Sequence, residues 1–162
     1  MFAKFLIREF TNRYSNSVLN LILDIVDKEF NIKVDLNGLD SDLVHLGEYY
    51  NQHSGGCIYV AEIEDSNKII GTAAIRNLKQ FHSACELKRM FVSKEYRKLG
   101  IGQGLLDMTL DFARKTGYYK ILLYSSSDLK ADRNLYLKNG FVDIQRYNDD
   151  YRADVFMQRH LR

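Results

Sequence analysis

Proline is missing altogether from these 162 residues, where average usage of about 5% would supply several. Turns must therefore be made by glycine, asparagine, aspartate and serine. Cysteine is nearly as scarce. Cys57 and Cys85 lie far apart, with no CxxC spacing and no clustered histidine, which excludes a disulfide framework and a zinc site and suits a reducing cytoplasm. Long apolar runs are also missing. The opening MFAKFLIREF has only Phe5, Leu6 and Ile7 in succession before a charge, and no stretch reaches the roughly 18 residues that cross a bilayer. The expectation is a chain with no signal peptide and no membrane partner. Lys and Arg number 23 against 21 Asp and Glu, a formal charge of +2, too balanced for a nucleic-acid partner. What remains, 46% apolar and 27% charged residues, is the composition of a soluble globular protein able to bury roughly 70% of its unfolded surface. No repeat or linker interrupts it, so residues 1–162 read as a single domain.

Residues 2–10 read as a first strand. Residues 17–30 carry Leu19, Ile22, Leu23, Val26 and Phe30 at spacings of three and four, an amphipathic helix. Residues 40–50 repeat that pattern with Leu43, Leu46 and Tyr50 before a turn at Gly55 and Gly56. The period then changes to two over residues 58–63, 68–78 and 84–92, an antiparallel meander. Residues 102–116 form a helix with Leu105, Leu106, Thr109, Leu110 and Ala113 on one side and Gly117 as its stop. A short strand at 120–125, a helix at 131–138 and a hairpin of 141–147 with 154–160 complete the chain. The class is α/β, a mixed, mostly antiparallel sheet flanked by helices in the order βααβββαβαββ.

Between the strand ending at Val92 and the helix stand Arg97, Lys98, Leu99, Gly100, Ile101, Gly102, Gln103 and Gly104. A glycine-rich turn opening a helix exposes unpaired N–H groups and the positive end of the helix dipole, which suits a phosphate. The same glycines could serve a tight turn alone. A Rossmann fingerprint fails because Leu105 stands where the third glycine belongs. A Walker A loop fails because Leu105 and Leu106 follow Gly104.

The segment resembles the coenzyme A signature of the GNAT superfamily of acyl-CoA-dependent N-acetyltransferases. Arg97, Gly100 and Gly102 match its Arg/Gln-x-x-Gly-x-Gly/Ala core; Glu86-Leu87, Met90-Phe91-Val92 and Tyr96 match the lead-in. Leu135-Tyr136 and Gly140-Phe141 match downstream pairs, and the element order agrees. Lys94, Asp132 and Leu129 depart from the proline, small residue and asparagine usual at those places; Asn134 stands near enough to replace the last. The resemblance implies a GNAT-type fold and acetyl-CoA as cosubstrate, with no metal. It places the pantetheine arm on backbone groups of Met90, Phe91 and Val92, and the pyrophosphate on residues 97–104. The thioester then lies in a gap between residues 84–92 and 120–125. A small-molecule or peptide amine would be acetylated by direct attack in a ternary complex, and a homodimer is an assembly to look for. The alternative is a catalytically silent acyl-CoA-binding regulatory module.

Amine attack requires loss of a proton from an alkyl ammonium of pKa near 10. Glu86 is the candidate base, or else a strand glutamate paired with Lys88 or Arg89. Tyr136 matches the residue that protonates the leaving thiolate in many relatives. Cys85 reads as a small core residue. His45, His53, His82 and His160 lack metal-ligand spacing, and only His53 stands near a predicted acceptor loop. Acids outnumber lysines among residues 21–50, with Asp40 and Asp42 at the centre, so a cationic acceptor could be steered there. A solvated helix face explains the same charges.

Overall fold

The computed structural model describes residues 4–162, the side chains of residues 130 and 131 excepted. Seven strands, β1 (Phe5–Glu9), β2 (Cys57–Ile63), β3 (Ile69–Asn77), β4 (Ala84–Val92), β5 (Lys120–Ser125), β6 (Val142–Asp143) and β7 (Val155–His160), form one sheet in the order β1-β2-β3-β4-β5-β7-β6. Every neighbouring pair is antiparallel except β4 with β5. The alternation predicts the antiparallel meander β2-β3-β4, and the whole is the mixed, mostly antiparallel sheet that the resemblance implies. The first residues of the predicted opening strand, Phe2 and Ala3, lie outside the described residues.

Helices cover both faces. The apolar side of α3 (Ile101–Thr116) buries Leu105, Leu106, Leu110 and Ala113 against Ile75, Leu87, Ile121 and Leu123. Gly71 on β3 makes room for it, since a Cβ there would stand 2.9 Å from a Leu105 methyl. On the other face, α1 (Ser15–Leu23) packs Val18 and Ile22 over Val60 and Ala74. Burial of such side chains contributes roughly 1.5–3 kcal/mol each. No helix among the described residues is long and apolar enough to cross a membrane.

Three predicted elements differ. The helix expected through residue 30 widens into a π-helical stretch, Asp24–Glu29, which buries Ile25 and Val26 and brings Glu29 to Arg97. The helix expected over residues 40–50 is a 3₁₀ turn, Ser41–Val44, and a single turn, α2 (Leu46–Tyr49), separated at His45 with φ −136° and ψ 40°. The last hairpin keeps only Val142–Asp143 paired with β7. Beyond it, one backbone bond runs from the Ile144 N–H to the Phe156 carbonyl (2.9 Å), and the Arg146 guanidinium donates to the carbonyls of Asp150 (3.0 Å) and Ala153 (2.5 Å) in the connecting loop. The last helix, α4, is Lys130–Lys138.

Candidate active site

The parallel pair β4 and β5 is joined only at Ala84 with Lys120, Cys85 with Ile121 and Glu86 with Leu122. Past Glu86 the strands part. The cause is local to β4, where Thr72 faces Phe91 and Ala74 faces Lys88, so that two residues of β4, Arg89 and Met90, face the single residue Ala73. Such a bulge bends its strand, and Arg89 takes φ +53° within it.

The turned Arg89 is anchored by buried acids. Its guanidinium donates to Asp40 (3.1 Å) and to both oxygens of Asp42. Arg152 binds Asp40 (2.6 Å) and Asp150 (2.8 Å), and the Tyr50 hydroxyl donates to Asp42 (2.5 Å). Burial works against the charges on Asp40 and Asp42, but the guanidinium partners outweigh it and hold both carboxyls below their ordinary range. Asp40 and Asp42 are therefore neither a solvated face nor free charges at a mouth. They fix the bulge that opens the sheet.

At one end of the gap lies a cavity of about 540 Å³ lined by Val92, Arg97, Lys98, Gly100, Gly102, Gln103, Leu129, Asp132, Asn134 and Leu135. The first helical bond of α3 runs from the Gly104 N–H to the Gly100 carbonyl (3.0 Å); among the described residues, the N–H groups of residues 98–103 have no acceptor. Lys98 (φ +64°) and Gly100 (φ +84°) take left-handed backbone in this turn. Gly102 does not, and a Cβ there would meet only ordinary contacts at 3.5 Å or more. The residue types fit an anion: donors without acceptors at a helix start are what a phosphate needs. Gly104 approaches Ile7 at the back of this helix, where a Cβ would stand 2.7 Å from its methyl.

Several side chains expected here are already engaged. Arg97 donates through Nε to the Val92 carbonyl (2.9 Å) and grips Glu29 with both terminal nitrogens (2.5 and 2.9 Å). The Gln103 amide is tied to Asn139 and Asp107, and Ile101 is in the core, so both offer only their N–H groups. Leu99 is exposed. Asp132 is the departure with a consequence: burial pushes its carboxyl up to about 6, with Arg97 partly opposing.

Where the strands part is a smaller cavity of about 120 Å³, between Met90 and Phe91 on one side and Leu123 and Tyr124 on the other, with Tyr136 from α4 in its wall. Burial pushes the Tyr136 phenol up, and its hydroxyl has no hydrogen-bond partner among the described residues. Glu86 is different. Its side chain is wholly buried, one oxygen accepting from Arg76 Nε (3.0 Å) and Nη2 (2.8 Å), the other from the Tyr147 hydroxyl (3.0 Å). Its partner is Arg76 rather than Lys88 or Arg89, and it lines none of the cavities described.

A third cavity of about 350 Å³ adjoins the second, sharing Lys88, Tyr124 and Asp150 with it, and is also lined by Arg76, Tyr49 and Asn148. Sequence reasoning missed Lys88, Tyr124 and Arg76 because the strand alternation that places them on one face says nothing of where the sheet opens. Cys85 is buried, and burial pushes its thiol far above the ordinary range, which agrees with a core role. His53 is exposed and lines none of these cavities. Among the described residues, no three His, Cys, Asp or Glu side chains gather as a metal site.

A parallel strand pair that parts beside a helix start rich in free N–H groups is the arrangement that the coenzyme A signature at residues 97–104 implies. The chain matches the acetyltransferase (GNAT) family over residues 21–141 and belongs to it. It is 39% identical over 119 residues to "Probable N-acetyltransferase 14" of Xenopus tropicalis, covering 68% of this chain and 57% of that protein. An acetyltransferase of the GNAT family from Staphylococcus aureus superposes with a TM-score of 0.89 at 29% identity, covering 98% of this chain and 100% of its own. An N-acetyltransferase of Thermoplasma acidophilum, solved in complex with coenzyme A, has the same fold with a TM-score of 0.74 at 17% identity, covering 97% and 99%. The chain spans between 42% and 61% of the length of eight curated relatives.

Proposed function

We propose that this chain is an acetyl-CoA-dependent N-acetyltransferase that moves the acetyl group to a primary amine by direct attack in a ternary complex. The observation that carries the reading is the continuity of two unlike sites: the run of free N–H groups at residues 98–103 opens into the gap where Tyr136 waits. The diphosphate would rest on those N–H groups. Lys98 supplies charge at the rim, and Arg97 does so once it exchanges Glu29 for phosphate. The open edge of β4 from Met90 to Val92 would hold the pantetheine arm. Its Val92 carbonyl is the exception, being occupied by Arg97.

The amine nitrogen forms the new bond to the thioester carbon, the carbon–sulfur bond breaks, the leaving sulfur takes a proton from Tyr136, and the second proton that the nitrogen sheds as the amide forms restores the Tyr136 phenol. A phenol whose pKa is raised by burial donates only to a strong base, which a thiolate leaving in a dry pocket is. The ammonium proton leaves toward Glu86. Glu86 lines no cavity, and neither does the Tyr147 hydroxyl bound to it, so the proton would reach that pair through a water.

Coenzyme A titration tests it: ligand at 100 times its dissociation constant should stabilise the protein by about 2.7 kcal/mol. Arg97→Glu should weaken that binding at least tenfold in a folded protein, because it sets a second acid beside Glu29 and the phosphates. Absence of any shift in the wild type would remove the reading. A shift without transfer to any amine would favour the silent acyl-CoA-binding module.

A further inference from the structure

Among the described residues, the buried charged side chains are Asp40, Asp42, Glu62, Glu86, Lys88 and Asp150. All the carboxylates have a guanidinium partner: Asp40 and Asp42 have Arg89, Glu62 has Arg8, Glu86 has Arg76 and Asp150 has Arg152. Lys88 alone has no opposite charge within ion-pair distance. It is only 9% exposed. Its Nζ donates to the Tyr124 hydroxyl (2.7 Å) and stands 4.7 Å from that ring's centre, which uses one of three N–H donors.

An ammonium left buried without an anion is costly to keep. This one is placed where an anion could arrive, at the junction of the cavity beside Tyr136 and the cavity on the acceptor side, both of which it lines. We propose that Lys88 is the docking point for a carboxylate on the acceptor, so that the acceptor class is amines carrying a carboxylate close to the reacting nitrogen, α-amino acids being the simplest. The inference rests on the transferase reading above. Its geometry suits that class, because Lys88 lies on β4 where the sheet opens. A nitrogen two bonds from the bound carboxylate carbon, as in an α-amino acid, would therefore sit beside the thioester. The surrounding charges agree. Burial and the neighbouring Arg89 and Arg76 lower the Lys88 ammonium to about 8, while Glu86 and Asp42 partly offset this. Asp150, the remaining acid in the shared wall, is committed to Arg152. Tyr124, itself raised to about 12 by burial, stays a neutral donor and acceptor. A bound carboxylate would restore the Lys88 charge.

Two measurements decide it. In the first, free amino acids are compared with their amides as acceptors at saturating acetyl-CoA. The acids should be preferred about ten- to hundredfold in kcat/KM, the range for a hydrogen bond to a charged partner. Lys88→Met should abolish the preference chiefly through KM, and Lys88→Arg should restore part of it. Equal use of acids and amides by the wild type overturns the proposal. So does a Lys88→Met defect confined to kcat and equal for both classes, which would make Lys88 a proton carrier instead. The second needs neither turnover nor a variant that folds. In wild-type protein, the Lys88 side-chain NMR signal is titrated with pH in the presence of N-acetylglycine or N-acetylglycinamide. The acid should raise the midpoint and the amide should not; the same response to both overturns the proposal. If coenzyme A fails to bind while the acid still shifts Lys88, the transferase reading falls and the carboxylate site stands.

Discussion

The two ends of the gap are built by opposite means. At residues 97–104 the working groups are backbone N–H groups that the fold leaves free, and the side chains around them are small, exposed or tied to one another. At the acceptor end they are side chains whose charges are buried and cross-linked, Arg89 and Arg152 joining Asp40, Asp42 and Asp150. Backbone recognition suits a ligand that is always the same, since any residue supplies the same N–H. Side-chain recognition can be rewritten one substitution at a time. Under the proposed function, a cofactor that stays the same would meet backbone groups and an acceptor that varies would meet side chains.

The contrast breaks most sharply at the fork between them. Tyr136→Phe keeps the ring in the core and removes only the proton, so kcat should fall by about 10² to 10⁴ with coenzyme A affinity unchanged. Steady-state rates combined with calorimetry check both halves. A kcat equal to that of the wild type would return Tyr136 to a packing role.

Next in size is the ionic cluster. Arg89→Ala leaves Asp42 without its guanidinium and Asp40 with one fewer, and removing one partner of a buried pair typically costs about 3–5 kcal/mol. Urea unfolding should register that loss. If the two ends are as separate as the contacts suggest, coenzyme A affinity under native conditions should hold while acceptor KM rises.

Glu29 gives a smaller effect of opposite sign. It occupies the Arg97 guanidinium that the cofactor would use, so Glu29→Gln should tighten coenzyme A binding by roughly threefold to tenfold. The gain should shrink with added salt. Weaker binding would mean that Glu29 orients Arg97 instead of competing for it.

A further effect is a pH dependence at Asp132. Its carboxyl is raised by burial to about 6 from 3.8, so its ionised form disfavours the folded state. That cost is absent below about pH 4, grows between pH 4 and 6 and is constant above. Asp132→Asn should therefore be more stable than the wild type at pH 8 and equal to it at pH 4, as thermal unfolding across that range would reveal.

What could be read from the sequence divides along the same line. The strands from Cys57 to Val92, helix α3 and the glycine-rich turn that opens it are local patterns of period and spelling, and they lie where those patterns place them. Arg97, Gly100, Gly102, Leu129 and Asn134 do share one cavity. The acceptor end depends on pairs distant in the chain, such as Arg152 with Asp40, 112 residues apart, and no local pattern reports them. The acids counted among residues 21–50 were visible, but their arginines, on other elements, were not. The short final hairpin, whose loop Arg146 closes through the carbonyls of Asp150 and Ala153, and the broken helix at His45 likewise have no local pattern that reports them.

The parted strands have a consequence for motion. From Leu87 to Val92 one edge of β4 lies inside the molecule with no neighbouring strand, so its amides rely on water or on a guest for partners. An extended guest in that slot would serve as a missing strand, much as a peptide augments an exposed sheet edge. Without a guest, those amide hydrogens of this stretch that face the gap, and not the ones bonded to β3, should exchange far faster than the hydrogens of Ala84 to Glu86, only a few residues away. Loading the slot should bring the two rates together, turning a seam in the sheet into a continuous fabric.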